Sequence, residues 1–387
     1  MPMKTLIELY DERPIENVLA TEMFRPRETV IVCPPQVAKD RALKSSLQKY
    51  FEVRGCPVKL TVESASLLDA VKVEDKLRRI LSTHEDCAID ISGGGDAALF
   101  AAGAISGETP VFTYSRKKNA FFEIKNAPFA RSLPCTVRLN AEACFLMAGG
   151  TLLPGREDNK KLPNLLPQID SLFQVYSENR RTWNRQISYI QRISSAADAD
   201  LTAKGNRTEK ADRGMVTADE KLLCGLAGHG LILDLVLTQE QVSFRFPDEV
   251  IRFWLRDMGS VLELQVYRAC LAAECFDDVV LSAVVNWKAG DAKRAAVTNE
   301  IDVMAVKGVQ PVFISCKTGE IKTEALNELA ILRDRFGGKG SRAVIVSSAM
   351  SSAGRALMRR RAAELEIEVI EWNDISLDRL TARLKKG

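Results

Sequence analysis

Five short apolar runs, Thr5–Leu9, Thr29–Cys33, Val58–Val62, Ala88–Ile91 and Pro110–Tyr114, alternate with helix-patterned segments at 36–54, 66–83 and 96–106. Such alternation predicts a parallel sheet with helices on both faces, an open Rossmann-like α/β arrangement. The ligand crevice of that arrangement lies beyond the carboxyl ends of the strands. At one such end stands Asp90-Ile91-Ser92-Gly93-Gly94-Gly95-Asp96, running directly into an apolar helix, Ala97–Ala104. Three glycines let the backbone turn tightly and approach a ligand closely, and the free amides of a helix start attract anions. The plainer reading is a glycine turn with Asp96 as helix cap. Neither G-x-G-x-x-G nor a Walker loop is present, so an ordinary dinucleotide or ATP site is not supported. The first strand ends in a second polar loop, Leu9-Tyr10-Asp11-Glu12-Arg13-Pro14-Ile15-Glu16-Asn17-Val18.

The 387 residues suffice for two or three domains. Lys and Arg exceed Asp and Glu by only three, so any basic surface is local. The nine cysteines (33, 56, 87, 135, 144, 224, 270, 275, 316) form no C-x-x-C pair, as expected of buried thiols in a reducing cytosol. No charged-then-apolar leader opens the chain and no apolar stretch is long enough for a bilayer, so a cytoplasmic protein without membrane contact is expected. With only His84 and His229, each lacking a partnering motif, triads and histidine-rich metal sites are disfavoured, and carboxylate and lysine chemistry remains.

That chemistry is concentrated late in the chain. Asn299-Glu300-Ile301-Asp302-Val303, a Lys307-Gly308-Val309-Gln310 turn and Val312-Phe313-Ile314-Ser315-Cys316-Lys317 read as a hairpin. Glu300 and Asp302 share one face of the first strand, Ser315 and Lys317 one face of the second. Phosphodiester cleavage uses a hard cation on oxygen ligands and an ammonium near the phosphate, and this hairpin supplies groups for both. A solvated strand face is the plain alternative. Upstream, Ser260-x-x-Glu263 opens a helix, Val261–Cys275, so Glu263 also reads as a capping-box glutamate. Strand Val279–Trp287, a charged turn Lys288–Arg294, the hairpin, helix Thr323–Phe336, strand Ala343–Val346, helix Ser352–Leu365 and strand Glu368–Ile370 follow. Between the two halves, Phe121–Ile124 and Cys135–Leu139 read as short strands and Leu165–Ser194 as helical, with Arg180, Arg181, Arg185 and Arg192 on a solvated face. Ala196–Arg213, polar and with Gly205 and Asn206, reads as a mobile loop.

The hairpin, with Asp302 first and Lys317 last, resembles the PD-(D/E)XK nuclease superfamily, with Ser315 where that pattern has an acid. The resemblance therefore implies a second metal carboxylate from Glu263, Glu300, Glu324 or Glu328. Pro-Ile-Glu-Asn-Val-Leu-Ala after the first strand and Asp-Ile-Ser-Gly-Gly-Gly-Asp together resemble the CARF domains of type III CRISPR defence, which sense cyclic oligoadenylates. That resemblance implies ligand contacts from Tyr10, Asp11, Ser92, Gly93, Gly94, Gly95 and Asp96, although the family's usual Thr-Gly-Gly-Thr-Lys is here Ser-Gly-Gly-Gly-Asp. The chain thus looks like a CARF sensor (1–150), a helical connector (151–240) and a restriction-endonuclease-like domain (241–387). The resemblance implies a homodimer that a cyclic oligoadenylate, most plausibly the tetra-adenylate, switches on to cut DNA or RNA. Asp302 and Glu263 would hold Mg²⁺ or Mn²⁺, and Lys317 and Glu300 would stand beside them. A ligand-responsive binder that does not cut, and a constitutive repair nuclease, are the alternatives.

Overall fold

A computed structural model describes residues 3–155, 158–195, 201–211, 214–287, 297–338, 340–348 and 355–386. The alternating pattern forms strands β1 (Thr5–Leu9), β2 (Glu28–Cys33), β3 (Lys59–Ser64), β4 (Cys87–Asp90), β5 (Val111–Ser115), β6 (Ala120–Lys125) and β7 (Leu133–Pro134). Between and after them lie helices α1 (Leu19–Phe24), α2 (Pro35–Lys39), α3 (Arg41–Val53), α4 (Ala70–Thr83), α5 (Asp96–Ile105) and α6 (Ala141–Met147). Among the described residues these strands make one sheet in the order β3-β2-β1-β4-β5-β6-β7. β1 to β5 are parallel and β6 and β7 antiparallel. The order reverses between β1 and β4, which opens the crevice at their carboxyl ends. Ile7, Leu9, Val30 and Val32 bury one sheet face against Val73 and Leu77 of α4 and Ala98, Ala101 and Ala102 of α5.

Strand β8 (Thr151–Leu153) is followed by α7 (Leu166–Asn179), α8 (Trp183–Ile193), β9 (Thr202–Asn206), β10 (Thr208–Ala211), β11 (Gly214–Thr217), α9 (Glu220–Gly228), β12 (Leu233–Leu237) and β13 (Gln241–Arg245). The expected helical connector is therefore only partly helical. The helix read over Leu165–Ser194 is broken after Asn179, where Thr182 N–H and Oγ both donate to Asn179 O at 3.0 and 3.2 Å. The break swings Trp183 edge-on to Tyr176, with ring centroids 5.2 Å apart. Part of the expected mobile loop 196–213 is β9, paired antiparallel with β13, and β10, paired with β11, while 196–200 and 212–213 lie outside the described residues. Gly205 had suggested a loop. It lets β9 pass over α8 instead, since a Cβ there would stand 2.3 Å from Ile193 Cγ2. Cys135–Leu139, expected as a strand, has none of the ladder: the chain leaves β6 after β7 and crosses to the other half, where Leu139 N–H donates to Gly308 O at 2.8 Å.

The final part comprises α10 (Glu249–Trp254), α11 (Ser260–Ala272), β14 (Asp278–Asn286), β15 (Thr298–Lys307), β16 (Gln310–Lys317), α12 (Thr323–Phe336), β17 (Arg342–Ser347), α13 (Arg355–Glu364), β18 (Ile367–Glu371) and α14 (Leu377–Lys385). The charged turn Lys288–Arg294 and the start of the helix read from Ser352 lie outside the described residues. The strands form a second sheet in the order β18-β17-β16-β15-β14-β8, so its edge strand β8 comes from residues assigned to the connector. Both faces of this sheet are buried. Val303, Ala305, Val312 and Ile314 join a core with α7, α8 and α11, while Ala283, Met304, Phe313 and Ile345 share a core with α3, α6 and the first sheet. α6 ties the halves: Ala141 N–H donates to Asp278 Oδ2 at 2.8 Å, and Phe145 packs edge-on to Phe336 of α12 at 5.2 Å.

Because both rings are fully buried, truncating Phe145 opens a cavity between the two sheets. Phe145→Ala should cost about 3–5 kcal/mol, read as a lower urea midpoint, and a midpoint equal to the parent's would show that α6 is not a joint.

Candidate active site

Asp302 sits where the second sheet forks. The β15–β16 ladder runs from Lys307↔Gln310 to Val303↔Ile314, and there the Asp302 carboxylate enters between the strands. Its Oδ2 accepts from Cys316 N–H at 2.6 Å, Ser315 Oγ at 3.1 Å and Lys317 Nζ at 3.4 Å. Ser315, which was the departure from the acidic pattern, is thus a holder of Asp302. On the other side, Leu281↔Val303 and Ala283↔Ile301 bracket Ser282, which stands opposite Asp302 with φ 51°, in the left-handed region. A serine held there stores strain of about 1–3 kcal/mol, a device that clusters at functional sites. Gly155 is required beside it, because a Cβ would lie 2.6 Å from Ser282 O.

A cavity of about 250 Å³ opens over this fork, and Asp257, Glu263, Glu300, Asp302 and Lys317 all line it. The expected catalytic residues are therefore brought together. Glu324 and Glu328 are not in its lining, and Glu328 Oε1 instead accepts from Asn299 Nδ2 at 2.6 Å. Glu263 is not the glutamate of a capping box. α11 begins at Ser260 with Gly259 as cap, and Ser260 N–H and Oγ both donate to Asp257 Oδ2 at 2.8 Å. The Glu263 carboxylate turns back over Gly259, where a Cβ would stand 2.8 Å from its Oε1. Asp257 escaped the sequence reading, although its place three residues before Ser260 marks a helix entry.

Burial, and then the charges of Asp302, Asp257 and Glu300, push the Glu263 carboxyl up to about 9, with Lys317 pulling the other way. Among the described residues no three His, Cys, Asp or Glu side chains already stand as a closed metal-ligand set. The donors nevertheless fit a hard divalent cation: all are carboxylate oxygens, and they are crowded around a single lysine.

At the other end, Tyr10, Asp11 and the Ser92–Asp96 loop meet at the carboxyl ends of β1 and β4. A Cβ on Gly93 would stand 2.4 Å from Leu9 O, and Gly94 has φ 86°. Both glycines are thus needed for the loop to lie against β1, while Gly95 has open space beside it. Ser92 is occupied within the fold, since its Oγ donates to Asp90 and accepts from Tyr114 N–H at 2.7 Å. Asp11 is likewise committed, taking Arg13 Nε at 2.8 Å and Nη2 at 2.9 Å. Gly95, Asp96 and Tyr10 remain accessible. Sequence reasoning missed two cations here, Arg13 and Arg116, which lie 3.6 and 3.0 Å from Glu16 Oε1. Arg13 stood in the quoted loop and was the available signal. Below the loop, Glu8 and Asp90 face each other in register. Burial raises both carboxyls, that of Asp90 to about 7.

Residues 239–385 match the family model of the Card1-like endonuclease domain, so the part of the chain that holds the carboxylate–lysine pocket is similar to an endonuclease domain of that kind. The fold of the whole chain is shared with two solved structures. Protein VC1899 from Vibrio cholerae is 17% identical with TM-score 0.76, the match covering 99% of this chain and 97% of that one. Can2 from Sulfobacillus thermosulfidooxidans, solved in complex with cyclic tetra-adenylate, is 15% identical with TM-score 0.70, covering 99% and 98%. No curated protein sequence matches. These findings bear out the recognition of a CARF-nuclease type of chain made from the sequence.

The crowding of Glu263 has a consequence for stability. Its folded value of about 9 lies above the ordinary 4.5, so the folded chain keeps a proton that the unfolded chain releases. Stability therefore falls as pH rises from about 4.5 to about 9. In EDTA, Glu263→Gln should remove this slope and stabilise the protein at pH 7 by roughly 2–3 kcal/mol. Urea midpoints at pH 5 and pH 8 check it; a slope unchanged by the substitution would contradict the burial of this charge.

Proposed function

We propose that the protein is a cytoplasmic, homodimeric, metal-dependent nuclease of type III CRISPR defence that a cyclic oligoadenylate switches on, cutting DNA or RNA. The observation that carries the reading is the gathering of Asp302, Glu263, Glu300 and Lys317 in one cavity, within the stretch that matches an endonuclease family. Asp302 and Glu263 would hold Mg²⁺ or Mn²⁺, with Glu300 and Asp257 alongside. When bound, the cation supplies Lewis-acid charge at the phosphate. The chain's own groups do the rest. Cys316 N–H and Ser315 Oγ fix Asp302, and the Lys317 ammonium, held beside Asp302, offsets charge that develops on the phosphate oxygens.

Can2, whose fold the chain shares, was solved with cyclic tetra-adenylate, which supports a ring as the activator. A symmetric ring is best read by two copies of one surface about a twofold axis. Leu68, Val71 and Phe100, on and just before α4 and on α5, are 91, 68 and 70% exposed, an apolar face suited to a second copy. A path from ring to nuclease also lies within the chain. A Cβ on Gly338, after α12, would stand 3.8 Å from Pro14 Cδ and 3.9 Å from Arg116 Nη2. The loops that meet the ring thus touch the turn between α12 and β17, and a ligand that prefers one arrangement of these loops biases the nuclease. Among the described residues, no helix is long and apolar enough to cross a membrane.

Labelled single- and double-stranded DNA and RNA, incubated with Mn²⁺ and each cyclic oligoadenylate, test this reading. Asp302→Ala and Lys317→Ala should each cut about a hundredfold or more slower than the parent without losing the fold, and EDTA should stop the parent. Variants as fast as the parent would remove the assigned site.

The ring dependence has its own test. A bulky residue at Gly94 would collide with Leu9, 2.9 Å from a Cβ, so Gly95, with nothing within 4 Å, is the position to fill. Gly95→Gln should fold normally, lose tetra-adenylate binding by at least about tenfold in calorimetry and lose activation with it, through obstruction of the close backbone approach. Full cutting by the parent without any ring would refute the switch.

A further inference from the structure

A nucleic acid brings a row of negative phosphates, and a cavity walled by Asp257, Glu263, Glu300 and Asp302 repels every one except the phosphate a cation holds. Cationic groups must therefore stand next to it for the strand to stay. A second groove, of about 440 Å³, adjoins the carboxylate cavity and shares two of its walls, Phe253 and Asp257. Its other lining residues are Glu249, Arg252 and Arg256. The Nε atoms of both arginines are shut off from solvent without a hydrogen-bond partner, a costly state for a cationic donor. Arg252 spends one terminal nitrogen on Glu249, at 3.1 and 3.2 Å. Arg256 is anchored through its backbone, whose carbonyl accepts from Gln191 Nε2, so its guanidinium is not what the fold uses.

We propose that the groove of Arg252, Phe253 and Arg256 is a substrate subsite that holds the backbone phosphate next to the scissile one, with Arg256 as its principal ligand and Arg252 as support. The inference rests on the nuclease reading for its substrate class but on a different cavity for its evidence. Guanidinium forks suit phosphate oxygens, and bidentate charge-assisted hydrogen bonds satisfy the donors that the chain leaves open. Phe253, half-buried on the shared wall, gives the intervening sugar or base an apolar surface. The subsite positions substrate and takes no part in bond making, so its loss acts on binding.

Anisotropy of fluorescein-labelled single-stranded DNA and its RNA counterpart, with cyclic tetra-adenylate in EDTA, measures binding without cutting. Arg256→Ala should weaken binding about tenfold and lower the salt slope by about one phosphate, while Arg256→Lys keeps most of that slope. With Mn²⁺, Arg256→Ala should raise KM about tenfold and leave kcat within about threefold, whereas Asp302→Ala should lose kcat. Arg256→Gln, which keeps the bulk, replaces the alanine variant if that fails to fold. A parent that binds but cuts nothing, with Arg256 variants that bind less, supports the subsite and sinks the nuclease reading. Variants equal to the parent in affinity and salt slope, or a parent that binds neither strand, overturn the subsite.

Discussion

Burial of the second sheet on both faces, by two different partners, is the constraint from which the architecture follows. One face shares a core with α6, α3 and the first sheet; the other shares a core with α7, α8 and α11. A sheet covered in this way cannot slip its register without exposing apolar rows, which fixes the strands around Asp302. It also makes the first half part of the interior of the endonuclease-like half, so a displacement at Phe145 or Phe336 is felt by the strands that carry the site.

Within that rigid frame the site is built by withholding regularity at one place. The β15–β16 ladder stops at Val303↔Ile314, a carboxylate replaces the next backbone acceptor, and the strand opposite is bent at Ser282. A backbone N–H is a fixed donor, so Asp302 is oriented by the sheet itself more than by any flexible side chain. The carboxylates around it are held in mutual repulsion by α10, α11 and β15 packing, and the single ammonium of Lys317 does not balance them. The neighbouring groove sets Arg252 and Arg256 beside that acidic cluster, with Glu249 and Asp257 in the same lining.

Much of this was legible in the residues. Runs such as Thr5–Leu9 and Thr29–Cys33 are mostly apolar and formed the buried strands they implied, and the hairpin carrying Asp302 and Lys317 fell where its turn residues placed it. What escaped was mostly packing across sequence distance. The polar strand β9 buries only Ala203 fully, so its periodicity was too weak to read, and Gly205 spoke of a turn when it was making room for Ile193. Glu263 matched a capping box by spacing, yet Asp257 had already taken the Ser260 donors. Ser315 was scored by what it lacks, a charge, whereas its hydroxyl serves the aspartate across the hairpin. Of these contacts only that of Asp257 with Ser260, three residues apart, lies within a local pattern.

Thr151–Leu153 leaves the sensor-like half and pairs with Val284–Asn286, closing the nuclease sheet from outside its family-matched stretch. A chain cut at residue 239 would keep the family-matched stretch but leave β14 with an unpaired edge, an invitation to stick to its own copies. The smallest piece of chain that closes the second sheet is therefore longer than the stretch that matches the family model.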